Sequence, residues 1–283
     1  MKEYTGFAGL DREFTDWNNS KIAILPVPYD KTSTWVKGAD KGPLALIEAS
    51  SAVELHDIET DSEVYKQGIH TLPFLKTKKA PKGMIEDVER EVSKIIDAGK
   101  FTVVLGGEHS VSVGSIKAHC SKYENISVLQ LDAHSDLRGE YEGSRYSHAC
   151  VMARVGEMCP AVQVGIRSMC AEEKARLNPD NTFFAKDIVN SEEWINRVLD
   201  KLSLNVYVTI DLDVFDPSIM PSTGTPEPGG LTWYPVLKLL RSVAETKHVV
   251  GFDVVELCPN GSNKAPDFLA AKLVYKFLSY VFK

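Results

Sequence analysis

A chain of 283 residues, 43% hydrophobic and 25% charged, has the composition of a soluble globular protein and enough length to bury a substantial core. A formal net charge of -7 argues against a nucleic-acid or anionic-membrane surface, and the nearest basic stretch, LKTKKAPK at 75–82, reads as a solvated loop. The first thirty residues lack the basic start and apolar centre of a secretory signal, and no apolar run approaches membrane-spanning length, so the expected location is the cytoplasm.

Along the chain, short β-rich runs recur at 21–29, 101–107, 126–134, 161–167, 182–187, 206–213 and 248–257. Most are continuous apolar runs, the signature of strands covered on both faces. Helical stripes lie between or after them. Val88, Val92, Ile95 and Ile96 form one that ends at Gly99, a C-cap glycine. Trp194, Ile195, Val198, Leu199 and Leu202 form a second; Val236, Leu237, Leu240 and Val243 a third; Leu269, Leu273, Phe277 and Val281 a fourth. Strand and helix in alternation, with no repeat or low-complexity linker, predict one domain over 1–283 built on a parallel sheet with helices on both faces. Cys120, Cys150, Cys159, Cys170 and Cys258 are odd in number and form no CxxC pair, so they read as packing residues.

In such sheets ligands bind outside the carboxyl ends of the strands. Three of those ends are polar: GGEHS with Glu108 and His109, DAHSD with Asp132, His134 and Asp136, and TIDLD with Asp211 and Asp213. Two glycines let the first run turn tightly. On extended strands, Asp132, His134 and Asp136 should project toward one point, and Asp211 with Asp213 likewise. Four carboxylates gathered there would repel, and Arg138 is the only nearby cationic residue, so bound metal is the economical explanation. Two histidines and four carboxylates exceed one ion's needs and are too rich in oxygen for structural zinc; they suit two Mn(II) ions. A metal pair about 3.5 Å apart lowers the pKa of a shared water, which predicts hydrolysis.

These blocks closely resemble the signatures of the ureohydrolase family, the arginases, agmatinases, guanidinobutyrases and formimidoylglutamases; GADKGP at 38–43 is similar to its early block. The resemblance implies an arginase-like three-layer α/β/α sandwich with a mostly parallel eight-stranded sheet. It implies His109, Asp132, Asp136 and Asp211 as ligands of one manganese and His134, Asp132, Asp211 and Asp213 of the other, with Asp132 and Asp211 bridging. It further assigns Glu256 to the substrate guanidinium, since a carboxylate can accept its paired N–H donors. His148 matches a histidine proposed as proton shuttle or orienting group, and a pKa near neutrality would let it protonate the departing amine. Asp136 would help relay the nucleophile's proton.

The loop LRGEYEGSRYSHA at 137–149 looks like the agmatinase version, and Glu140 or Glu142 would attract the ammonium of agmatine. The expected reaction is therefore agmatine to putrescine and urea. Glu108, Asp40, Thr209 and Ala149 depart from common family residues, and aminopropyl-agmatine, guanidinobutyrate and arginine stay open as substrates. A two-metal phosphoesterase would want a GNH block that is absent, and a pseudoenzyme would have lost ligands that are all present here. Relatives form oligomers, so a homo-oligomer, a trimer or hexamer, is expected.

Overall fold

A computed structural model describes residues 6–78, 80–188 and 193–283. Eight strands, β1 (Ile22–Val27), β2 (Ile69–Thr71), β3 (Phe101–Gly106), β4 (Ile126–Leu131), β5 (Ala161–Ile166), β6 (Thr182–Phe184), β7 (Asn205–Asp211) and β8 (His248–Val255), form one sheet. Its order is β2-β1-β3-β8-β7-β4-β5-β6. Every pairing is parallel, so the expectation of a mostly parallel sheet is met in full. All eight carboxyl ends consequently open on the same edge.

The helices are α1 (Arg12–Thr15), α2 (Gly42–Ser50), α3 (Pro81–Asp97), α4 (Val111–Cys120), α5 (Val151–Val155), α6 (Ala185–Ile188), α7 (Glu193–Lys201), α8 (Trp233–Thr246) and α9 (Ala265–Val281). On one face Val103, Leu105, Val208, Ile210 and Phe252 pack with α2, α7, α8 and α9. On the other Val104, Val128, Tyr207 and Val250 pack with α3, α4 and α5. Successive strand residues thus serve opposite layers, which is why the strands read as unbroken apolar runs. Truncating one of these fully buried side chains, such as Phe252→Ala, would cost about 3–5 kcal/mol.

Six elements escape the sequence reading: β2, α1, α2, α4, α5 and α6. β2 is a three-residue edge strand, Ile-His-Thr, too short to show a pattern. α4 buries eight of its ten residues, so it has no polar face to reveal a helical period, and α2 is similarly apolar. Gly99, with φ +70, follows α3 as expected. The basic stretch 75–82 is not all loop, because α3 begins at Pro81; Lys78 pairs with Glu86 at 3.7 Å, and Lys79 lies outside the described residues. Among the described residues no helix is long and apolar enough to cross a membrane. All five cysteines are free thiols, with only Cys150 fully buried.

Candidate metal centre

The ends of β3, β4, β7 and β8 converge on a cleft of about 260 Å³ lined by, among others, His109, His134, Asp136, His148, Asp211, Asp213 and Glu256. His109 lies two residues beyond Gly107, whose lack of a side chain has a steric cause. A Cβ there would come within 2.0 Å of the Tyr29 carbonyl oxygen, so close approach, and not a left-handed turn, demands glycine.

His109 Nδ1 stands 3.1 Å from Asp132 Oδ2, 3.1 Å from Asp136 Oδ2 and 3.3 Å from Asp211 Oδ2. Yet this buried atom makes no hydrogen bond. Its other ring nitrogen is fixed from behind: Thr209 Oγ1 donates to Asp253 Oδ1 at 2.6 Å, leaving a lone pair that faces His109 Nε2 at 3.0 Å. The proton therefore belongs on Nε2, and Nδ1 presents a bare lone pair to three carboxylates, the arrangement of a metal-ligating imidazole with its outer-shell support. Tyr207 steadies Asp253 by donating to Oδ2 at 2.8 Å.

His134 completes a second group, its Nδ1 2.8 Å from Asp213 Oδ2 and 3.6 Å from Asp132 Oδ1. Ligand atoms of His109, Asp132 and Asp211 lie within 4.8 Å of one another, as do those of Asp132, His134 and Asp213. Asp132 belongs to both groups. An imidazole lone pair with no partner among carboxylates fits a divalent cation, and the shared carboxylate fits two.

The route to this convergence differs from plain strand alternation. β4 stops at Leu131, and Asp136 reaches the cluster through a left-handed backbone turn (φ 51) whose carbonyl accepts the N–H groups of Met152 and Ala153 at the start of α5. Asp211 ends β7, and Asp213 sits in the 3-10 turn Leu212–Val214, with its N–H donated to Asp211 Oδ1 at 2.9 Å. Arg138 does not neutralise the cluster; it lies 3.9 Å from Glu173 and 4.6 Å above the Tyr141 ring. Arg167, which the sequence reading missed, donates instead to backbone carbonyls, including Asp213 O at 2.6 Å, and so fixes the turn.

Burial, followed by the charge of Asp132, pushes Asp136 up to about 7. Burial and the neighbouring Asp213 and Asp132 hold Asp211 well above the carboxylate range. Burial would raise Asp132, but without metal the protonated imidazoles of His109 and His134 hold it low; a metal takes the place of that proton on His109 Nδ1.

Glu256 follows β8 in a left-handed conformation (φ 66) and accepts the His109 N–H at 2.7 Å on Oε1. Burial, then Glu108, raises its pKa well above the usual carboxylate value. Glu108 itself accepts the N–H groups of Thr32 and Ser33 at 2.5 and 2.7 Å, the Thr32 hydroxyl at 2.7 Å and the Ser110 hydroxyl at 2.6 Å. The Thr32 hydroxyl in turn accepts the His148 N–H at 2.9 Å and lies 3.3 Å from His148 Nδ1. His148 does not have the near-neutral pKa expected of it. Burial, then His134 and His109, lowers it to about 4, so it stands neutral at pH 7 and must accept a proton before it can donate one.

Ala149 lines the cleft, whereas Asp40, Glu140 and Glu142 are exposed and do not. The expectation that Glu140 or Glu142 guards the mouth is thus corrected: Glu140 borders a separate depression with Arg145, Arg154 and Arg176.

Likeness to known proteins agrees with this geometry. An N(1)-aminopropylagmatine ureohydrolase from Synechocystis is 37% identical, covering 94% of this chain and 90% of that protein. The agmatinase of Pyrococcus horikoshii is 34% identical over 97% of each. The crystal structure of agmatine ureohydrolase from Thermoplasma volcanium superposes with a TM-score of 0.89 at 28% identity, covering 100% of this chain and 96% of the other. Because the model described as the Arginase family also matches residues 20–279, nearly the whole length, the chain belongs to the arginase family and is a ureohydrolase.

Proposed function

We propose that the protein hydrolyses the guanidino group of N1-aminopropylagmatine, releasing urea and a triamine, with agmatine as the second reading. The observation that carries the guanidine chemistry is Glu256, a buried carboxylate beside the ligand cluster that accepts a hydrogen bond from His109 and no side-chain cation. A planar guanidinium supplies both the missing charge and paired N–H donors. The longer substrate is favoured by the relative from Synechocystis and by an aromatic cleft wall formed by Trp35 and Tyr141. The agmatinase relative and the loop at 137–149 favour the shorter one.

Two manganese ions would be held by His109, Asp132, Asp136 and Asp211 and by His134, Asp132, Asp211 and Asp213. When bound, such ions make water acidic enough to supply a nucleophile at neutral pH. The chain's own groups do the rest. Glu256 orients the guanidinium so that its carbon faces the ligand cluster. Asp136 accepts the nucleophile's proton through its free carboxylate oxygen. His148 is held at Nδ1 by Thr32 and Ser147, which leaves Nε2 to take up that proton and deliver it to the departing amine nitrogen. One water is consumed, the bond between the guanidino carbon and the alkyl-bearing nitrogen breaks, and urea leaves with a primary ammonium. The same reading takes residues 1–283 as one catalytic domain of a cytoplasmic trimer or hexamer, checked by limited proteolysis and sedimentation.

Urea release by manganese-loaded protein, compared across aminopropylagmatine, agmatine, arginine and guanidinobutyrate, is the deciding assay. The highest kcat/KM is expected with aminopropylagmatine, then agmatine. Preference for arginine or guanidinobutyrate would overturn the substrate assignment, and hydrolysis of phosphate esters without any urea would overturn the reaction.

A further inference from the structure

We propose that Trp35 is the platform for the ammonium end of the substrate, held over the cleft by a loop whose shape is fixed before any ligand arrives; this rests on the guanidine-hydrolase reading above. Trp35 lines the same cleft as Glu256 and His134, yet its side chain is 78% exposed. An indole is rarely left so open. Among the described residues no other ring or cation stacks on it, in contrast to Tyr141, whose ring already carries Arg138.

Residues 30–38 are not a slack loop. The Asp30 carboxylate, 3% exposed, accepts Gly38 N–H at 2.6 Å and Ala39 N–H at 3.1 Å, and the Ser33 hydroxyl also donates to it. Glu108 binds the Thr32 and Ser33 N–H groups from the cleft floor. Two buried carboxylates thereby close both ends of the loop, and only 34–37 project. Lys37 does not oppose a cationic ligand with a free charge, because its Nζ lies 3.6 Å from Asp30 and donates to Lys31 O at 3.1 Å.

The tip also borders the guanidinium acceptor. A Cβ built on Gly224 would sit 3.3 Å from Val36 O and 3.7 Å from Glu256 Oε2, so only a glycine separates the loop from that carboxylate. A substrate whose guanidinium rests on Glu256 therefore runs its alkyl chain out past this tip. An alkylammonium arriving at an unoccupied indole face gains a cation–π contact, and a preset loop spends little entropy in making it.

The test is urea release by the manganese-loaded wild type, Trp35→Phe and Trp35→Leu with aminopropylagmatine, agmatine and butylguanidine, which lacks the ammonium. Trp35→Leu is expected to raise KM about two- to fivefold for the two amines. The rise in KM should be clearly smaller for butylguanidine than for the amines, and Trp35→Phe should recover most of the loss. Calorimetric binding of the diamine and triamine products needs no turnover. If no guanidine yields urea, the hydrolase reading fails, while weaker amine binding in Trp35→Leu would still uphold the platform. Unchanged KM and amine binding in Trp35→Leu, an equal shift for butylguanidine, or no amine binding by the wild type would each overturn it.

Discussion

Two of the places where this molecule buries charge are built on opposite plans. Lys276, 4% exposed, places Nζ 2.8 Å from Asp57 Oδ2 and 3.1 Å from Glu59 Oε2, while the Thr60 N–H donates to Asp57 Oδ1 and the Tyr280 hydroxyl shares Glu59 Oε2. Burial alone would raise both carboxyls, but the hydrogen bonds and charge around them hold both below their ordinary values. At the strand ends Asp136, Asp211 and Glu256 are displaced the other way, by burial and by the charge of the neighbouring carboxylates Asp132, Asp213 and Glu108. The first cluster contains its own cation and is a clamp between α9 and the 57–62 turn. The second is complete only with something the chain does not encode.

Breaking the clamp should produce the largest effect. Lys276→Met leaves Asp57 buried and unpaired and is expected to lose about 3–5 kcal/mol of stability in denaturant titration, with metal content of the folded fraction unchanged. A parallel fall in metal content would show that the two clusters are not independent. Asp132→Asn attacks the other plan. Elemental analysis should find both metals depleted, and urea release should drop by at least about a hundredfold, since changes one shell further out already cost roughly 10–100-fold. Full two-metal occupancy would refute the bridging role. Glu256→Gln comes next: metal retained, kcat/KM down about 10–100-fold through one lost charged hydrogen-bonding partner. An unchanged kcat/KM would remove Glu256 from the site.

The smallest effect is on pH dependence, and the two clusters should oppose each other. The folded pKa of Asp57 is depressed, so its stabilisation is present above the unfolded value near 3.8 and is lost as pH falls through the folded one. In chelator-stripped protein Asp136 is raised to about 7, so its contribution is intact below the unfolded value and lost as pH rises through about 7. Melting curves with and without chelator should therefore diverge between about pH 4 and 7, with the stripped protein falling. Parallel curves would mean that the acidic cluster is not strained without metal.

How much of this was legible beforehand depended on whether the physical cause was local. Seven strands showed as apolar runs because both of their faces are covered, and the stripes of α3, α7 and α8 showed because each keeps a polar face; α9 showed only by its apolar spacing, since Leu273 through Tyr280 are all buried. α4, buried nearly all round, left no such trace. The ligand residues were readable as a coincidence of acidic strand ends, although Asp136 arrives by a left-handed turn and not by the pleat. Glu256 and His148 were found only through family resemblance. Asp253, Arg167, Asp30 and Trp35 were not found at all, because what each does depends on residues far away in sequence: Asp253 acts through Thr209, Arg167 on Asp213, and Trp35 beside Gly224.

The position of β8 sets the order in which these parts can come together. It is the last strand in the chain yet lies in the middle of the sheet, between β3 and β7, and so joins β1 to β3 on one side to β4 through β7 on the other. All six proposed ligand residues have been synthesised by Asp213, but His109 stands on one half and Asp132, Asp136 and Asp211 on the other. A growing chain thus carries two half-sheets until residues 248–255 slot between them, with the proposed His109 set divided between the halves and the proposed His134 set whole on the second. Only the His109 half of the centre must wait for β8, so its completion reports that the sheet is closed.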